Sequence, residues 1–186
     1  MVWWIDTHHT NKNGIMSLEG LIGRFKSLDS DKIVDFVIEV MDSNLLFLVE
    51  LQKFQLLAGQ NSIGEYLSPT YIEDSYFKSK DSAKRYSDFK ESLSQETNTE
   101  IYKKKPKDVP NLIITGSLIY NTIYAKTGSD YIEISARSSI IGKLEAKYKN
   151  LFGINKTGWD YFSDKYLIPQ LNDKIINYLT KKKKNT

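Results

Sequence analysis

Residue types able to do chemistry are present in this chain, but their spacing does not assemble them. Both histidines, His8 and His9, stand beside Asp6 near the N-terminus. A metal site built on these three is poorly supported, because adjacent histidines in a strand point to opposite faces and no third histidine exists to complete a set. Thr115-Gly116-Ser117 lacks the second glycine and the strand-to-helix context of a nucleophile elbow, and a serine triad there would have to recruit a histidine from the distant N-terminal end. Gly142-Lys143 has Arg137 where a phosphate-binding loop needs its first glycine, and no Ser or Thr follows the lysine. Glu73 and Asp74 are the carboxylates an enzymatic reading would use, and it would need a pocket that shifts their pKa values. The absence of cysteine excludes a disulfide scaffold and cysteine-ligated zinc or iron-sulfur sites. These patterns predict no catalytic residue, metal or cofactor.

Positive charge is the other candidate chemistry. The formal net charge is +3, of which Lys181, Lys182, Lys183 and Lys184 supply +4, leaving −1 for the rest of the chain. A domain that grips phosphate with its folded surface carries its basic residues in the body, whereas here they gather at Lys103, Lys104, Lys105, Lys107 and the C-terminal tail. Tyr66, Tyr71, Tyr76, Phe77, Tyr86 and Phe89 interleave with Lys78, Lys80, Lys84, Arg85 and Lys90, a mixture able to stack single-stranded bases. Glu73, Asp74, Asp81, Asp88 and Glu91 interrupt any phosphate track, so the favoured reading is an excursion pinned to the domain by its rings. A small basic nucleic-acid-binding or regulatory protein is the alternative function that these residues keep open.

The element that must organise the chain is residues 30–58. Ser30 is placed to cap a helix, Asp29 and Asp31 put negative charge at the positive end of its dipole, and Gly59 closes it. About 29 residues at 1.5 Å rise predict a rod of roughly 44 Å. Ile33, Val37, Val40, Phe47, Leu48 and Leu51 share one face, and Val34, Ile38, Met41, Leu45, Val49 and Leu56 fill the flank beside it. Asp35, Glu39, Asp42, Glu50 and Lys53 leave only a narrow polar stripe, interrupted by Leu46. So wide an apolar arc is covered either by the rest of its own domain or in part by another copy of the chain. Val34, Ile38, Leu45, Leu46 and Val49, with Trp3 and Trp4, are the subunit-interface candidates. The two tryptophans stand among β-branched residues and could pair as an edge strand on the parent fold or on a neighbouring subunit.

Around this rod the sequence predicts an α+β fold, in which further helices pack with a small antiparallel sheet. Ser17 to Ser27 reads as a short helix presenting Leu18, Leu21, Ile22 and Phe25, and Asp81 to Leu93 as another. Gln95 to Asp108 reads as an exposed loop. Thr115 to Ser117 would cap a short helix over Leu118 to Thr122, and Ile123 to Lys126 with Tyr131 to Ser135 form a hairpin about a glycine-bearing turn. Ser138 or Ser139 opens a helix to about Asn150 with Ile141, Leu144 and Tyr148 inward, and Thr157 to Asp160 opens one that buries Trp159, Phe162 and Tyr166. Pro169 interrupts that helix or starts a new one, and Leu171, Ile175 and Leu179 carry the last helix toward the lysines. The domain plan is an N-terminal arm at 1–15, one domain at 16–180 with the excursion at 60–108, and a basic tail at 181–186. No secretory signal pattern opens the chain, and no apolar stretch approaches the roughly 18 to 20 residues that span a bilayer, which predicts a soluble protein with no membrane partner.

The order of motifs from the long helix onward resembles a family of tailed-bacteriophage virion proteins, the neck or tail-completion components of the head-to-tail junction, in the versions found in Bacteroides and crAss-like phages. The resemblance rests on Gln55-Leu-Leu-Ala-Gly59 with Gly64, Leu67-Ser-Pro-Thr-Tyr71, Tyr76-Phe-Lys-Ser79, Tyr86-Ser-Asp-Phe-Lys90 and Pro110-Asn-Leu-Ile-Ile-Thr-Gly116. After the hairpin it continues through Leu144-Glu-Ala-Lys-Tyr148, Leu151-Phe-Gly-Ile154 and the Pro169-interrupted helix, so it covers roughly residues 45 to 180. It implies a structural protein without catalytic activity, forming a homo-oligomeric ring of six or twelve copies around the DNA channel between portal-side and tail-side virion proteins. It also implies synthesis in the host cytoplasm and a final place in the virion. In such a ring, neighbours would cover the apolar arc, and the basic segments would line the lumen or grip the next layer.

Overall fold

The structure is a computed structural model that describes residues 22–23, 26–93, 99–112, 118–128 and 131–180. The predicted arm at 1–15, most of the Ser17 to Ser27 helix, the Thr115 to Ser117 cap and the lysine tail lie outside these residues. The fold is α+β: helices α1 (Ser30–Ser43), α2 (Leu45–Leu57) and α3 (Lys80–Leu93), a hairpin of β1 (Ile123–Thr127) and β2 (Ile132–Ala136), then α4 (Ile141–Lys147), α5 (Lys156–Phe162) and α6 (Ile168–Thr180). Single π-helical turns at Leu118–Thr122 and Ser163–Leu167 lead into β1 and α6. Among the described residues no helix is long and apolar enough to cross a membrane.

The expected single rod is two helices. Asn44 leaves helical geometry at φ −117°, ψ 15°. Its side-chain Nδ2 donates to the Val40 carbonyl at 2.7 Å, and its backbone N–H turns instead to Met41 at 3.0 Å. Ser43 Oγ likewise donates to the Glu39 carbonyl at 2.7 Å. Two successive polar side chains thus compete for carbonyls that a continuous helix would use, and the helix divides there. The start also moves by one residue: Asp29, not Ser30, is the cap, and its carboxylate accepts from the Lys32 amide at 2.9 Å.

Helix α2 is the centre of the molecule. Leu48 and Leu51 pack with Met41, Tyr102 and Phe162 on one side. Val49, Leu56 and Leu57 pack with Leu67, Ile119, Ile123 and Tyr148 on the other. Two cores flanking one helix explain why its apolar residues run all round rather than along a stripe. It ends as predicted at Gly59, whose φ of +68° suits a left-handed cap. The Gln60 amide returns to the Gln55 carbonyl at 3.0 Å and the Gly59 amide to Leu56 at 2.9 Å, the two bonds of a Schellman closure. Val109 and the Pro110 carbonyl crowd the space that a Cβ at position 59 would fill.

Gln52 and Gln55, both fully buried, are the polar exceptions on α2. Gln52 Oε1 accepts from the Gly153 amide at 2.8 Å, while Gln55 Nε2 donates to the Gly153 carbonyl at 2.9 Å. Gln55 Oε1 also accepts from the Asn155 amide at 2.8 Å and from the Tyr102 hydroxyl at 3.3 Å. Two side chains one helical turn apart therefore satisfy a connector that has no sheet or helix partner of its own. Asn155 then caps α5 by accepting from the Gly158 amide at 3.0 Å, two residues before the predicted Thr157. Phe162 is buried on α5 as expected, but Trp159 remains 40% exposed.

The hairpin forms as predicted, with Ile123 opposite Ala136 and Thr127 opposite Ile132. Helix α4 is shorter than expected, with Ile141, Leu144 and Tyr148 turned to the core. Pro169 interrupts a helix, as one of the two expected outcomes: Phe162, Ser163 and Ile168 keep right-handed helical dihedrals, and the ladder widens to the π-helical turn Ser163–Leu167 just before the ring that lacks a donor.

Residues 99–108 are not the exposed loop expected from their polarity. Tyr102 is buried to 1% and Lys105 to 6%. Lys105 Nζ reaches Glu91 on α3 at 3.3 Å and the carbonyls of Pro106 and Lys107 at 3.3 and 3.2 Å. The ammonium is surrounded by acceptors, so burial of its charge is compensated and the segment is fastened to α3.

Candidate assembly surface

Apolar side chains reach the described surface along α1 and beside the hairpin. Only Phe36, Val40 and Met41 are buried on α1, which leaves Ile33 and Val34 exposed, Val34 at 46%. Next to them lies a groove of about 380 Å³, lined by Val37, Ile38 and Met41 of α1, Ile132 and Ile134 of β2, and Trp159 of α5. Leu48, Tyr131, Gly153 and Ile154 complete the lining. This lining is mostly apolar, so covering it removes hydrocarbon from water. Thr127 Oγ1 donates to Asp42 at 2.8 Å and sets the hairpin tip against α1.

The strand pairing adds a second feature. Gly128 donates to the Tyr131 carbonyl at 2.8 Å and Arg137 to the Thr122 carbonyl at 2.9 Å, which fixes these as hydrogen-bonded pairs. Antiparallel pairs alternate, so Glu133 and Ser135 bond toward β1, while the amides and carbonyls of Ile132, Ile134 and Ala136 face the opposite edge. The sheet has two strands, and among the described residues no third strand pairs with that edge.

The predicted interface residues divide between surface and core. Val34 is exposed, Ile38 lines the groove, and Leu46, 83% exposed, stands at the first turn of α2. Val49 is a correction: it is buried within its own chain's core, because α2 is enclosed on two sides. Leu45 packs partly buried against the other core. Trp3 and Trp4 lie outside the described residues, as do Asp6, His8, His9 and Lys181 to Lys184.

The lysines at 103–107 do not form a free basic patch. Lys105 is buried, Lys104 pairs with Glu91 at 2.9 Å and Lys107 with Asp88 at 2.6 Å, while Lys103 is exposed. The Lys107 contact lowers the Asp88 pKa and raises that of the lysine. Alternating acidic residues on α3 therefore neutralise the segment, as their sequence mixture foreshadowed.

Of the excursion's aromatic residues Tyr71, Phe77 and Tyr86 pack together as expected, while Tyr66, Tyr76 and Phe89 stay at least half exposed. Tyr71 and Tyr86 meet edge to face at 5.2 Å, and Phe77 lies 5.1 Å from Tyr86. With Tyr148, Lys90 and Leu144 they line a second cavity of about 340 Å³. Burial raises the phenol pKa values of Tyr71, Tyr86 and Tyr148. The carboxylates of the enzymatic reading are committed to local structure. Glu73 accepts from the Thr70 amide at 3.0 Å and hydroxyl at 2.9 Å, bonds that lower its pKa. Burial works to raise Asp74, but hydrogen bonds from Lys147 and the Tyr76 amide outweigh it and hold the carboxyl below its usual value. Among the described residues no group of three or more His, Asp or Glu side chains is arranged to hold a metal ion.

Fold and surface together define an α+β domain with an apolar face beside an open sheet edge. No protein-family model, curated protein or solved structure matches this chain.

Proposed function

We propose that this chain is a structural protein of the tailed-phage head-to-tail junction, a neck or tail-completion component without enzymatic activity. In this reading it assembles as a ring of six or twelve copies around the DNA channel, between portal-side and tail-side proteins of the virion. The observation that carries the reading is the exposed apolar run from Ile33 and Val34 into the groove at Val37 and Ile38. Burying such a surface between copies removes hydrocarbon from water, and a ring supplies identical neighbours to do it. The ordered motifs over residues 45 to 180 support the phage assignment. Lys103, exposed on the same segment, is available to a lumen or an adjoining layer, whereas Lys104 and Lys107 are held by Glu91 and Asp88.

Light scattering across a concentration series is the test. The native chain scatters as a closed oligomer, and Val34→Glu, at an exposed position, gives a folded monomer of unchanged circular dichroism. A native chain that stays monomeric at every concentration overturns the proposal. Antibody labelling of virions then separates a junction protein, which marks the tail vertex, from one that is absent from particles.

A further inference from the structure

The open edge of β2 and the groove beneath it make one composite site. Extended chain laid along that edge meets the outward amides and carbonyls of Ile132, Ile134 and Ala136, spaced by two residues as a partner strand requires. Side chains on one face of such a strand fall toward the groove walled by Val37, Ile38, Met41 and Trp159. The site therefore selects a short, extended, apolar segment with large side chains at alternate positions.

One segment of this chain has that character. Val2-Trp3-Trp4-Ile5 is β-branched and aromatic throughout, with Asp6 ending the run. We propose that residues 2–5 of a neighbouring copy add to the free edge of β2 as a third strand and bury a tryptophan in the groove. The inference rests on the assembly reading above and names the contact that joins the copies. About 17 residues separate Ile5 from Ile22, a length that at full extension would span roughly 55 Å and so suffices for the β2 edge of an adjacent copy. A four-residue strand seated at the groove leaves Ile33 and Val34 uncovered, whereas a neighbouring copy brings both a strand and a surface to this face. The edge carries Ile132, Ile134 and Ala136 at its outward positions and no lysine or proline of the kind that discourages pairing.

The chain has no cysteine, so engineered thiols report on the contact alone. Asp6→Cys in a tagged copy and Tyr131→Cys in an untagged copy, mixed and treated with a short bismaleimide, give a covalent dimer of one tagged and one untagged chain. Trp3→Ser with Trp4→Ser on the tagged copy reduces that product at least tenfold. An oligomer by light scattering that yields no mixed dimer, or one whose yield ignores the tryptophan changes, overturns the strand contact and leaves the ring reading standing. A double variant carrying both thiols that links only within one chain overturns the neighbour as donor. A native chain that is monomeric overturns the ring reading and this inference with it.

Discussion

Asn44 and Gln170 face one another across 126 positions of sequence and exchange two hydrogen bonds, Nδ2 to Oε1 at 3.1 Å and Nε2 to Oδ1 at 3.4 Å. The same Asn44 amide group holds the Val40 carbonyl, so one side chain both divides the long helix and ties the division to α6. Asn44→Ala is expected to cost about 1–2 kcal/mol, the sum of a lost carbonyl bond and a lost amide pair. Gln170→Ala costs less because it leaves the Val40 bond in place. Urea midpoints for the two singles and the double give a coupling of about 0.5–1 kcal/mol. Additivity would show that the pair contributes nothing.

Gln55→Leu keeps the volume and removes three polar contacts. The Tyr102 hydroxyl, Asn155 amide and Gly153 carbonyl each lose a buried partner. A loss of about 3 kcal/mol is expected in chemical denaturation. Hydrogen exchange at Gly153 and Asn155 then accelerates more than exchange in α3.

Gly59→Ala forces a side chain into left-handed geometry and against Val109. The conformational term alone costs about 1 kcal/mol, and the contact adds to it, so a fall of about 2 kcal/mol or more is expected. Gly64→Ala is the comparison: its φ is +85° with open space around the new methyl, so it shows the conformational term without the clash.

Burial, aided by the nearby Lys105 ammonium, lowers the Lys90 pKa from 10.5 to about 8. Between these values the unfolded chain binds a proton that the folded chain has released, so this group makes stability rise with pH across that window and flatten below it. Above pH 10 the trend reverses, because the buried phenols of Tyr71 and Tyr102 keep protons that the unfolded chain gives up. Lys90→Met is expected to remove the rise between pH 8 and 10, a change on the order of 2 kcal/mol in the pH dependence of unfolding. Thermal or urea unfolding at pH 7.5, 8.5 and 9.5 measures it.

Local patterns in the sequence located most elements because the relevant chemistry is local. Gly59 marks a helix end, the turn after Thr127 marks a hairpin, and Pro169 marks a break in a helix's hydrogen-bond ladder, each through backbone geometry that is local. The division at Asn44 was also locally encoded, in adjacent Ser43 and Asn44, but the surrounding apolar run outweighed that signal. What sequence could not show was partnership across distance. Lys105 reads as surface charge until Glu91 and two carbonyls are seen around it, and Val49 reads as a shared face until the first core closes over it. Gln52 and Gln55 carried a usable sign, two amides one turn apart in an otherwise greasy helix, yet only the connector at 151–155 reveals their purpose. The groove is likewise made by α1, α2, the hairpin, the 151–155 connector and α5, and of its lining only Ile38 stands among the interface residues that the sequence suggests.

The outward row of Ile132, Ile134 and Ala136 also bears on how this chain behaves when it is concentrated. An uncapped ladder flanked by hydrocarbon accepts any extended chain, including an identical hairpin, and identical hairpins can go on adding without limit. The proposed neighbour strand and an open-ended fibril would therefore compete for the same backbone groups. A charge placed on that edge, as in Ile134→Lys, would close it to both.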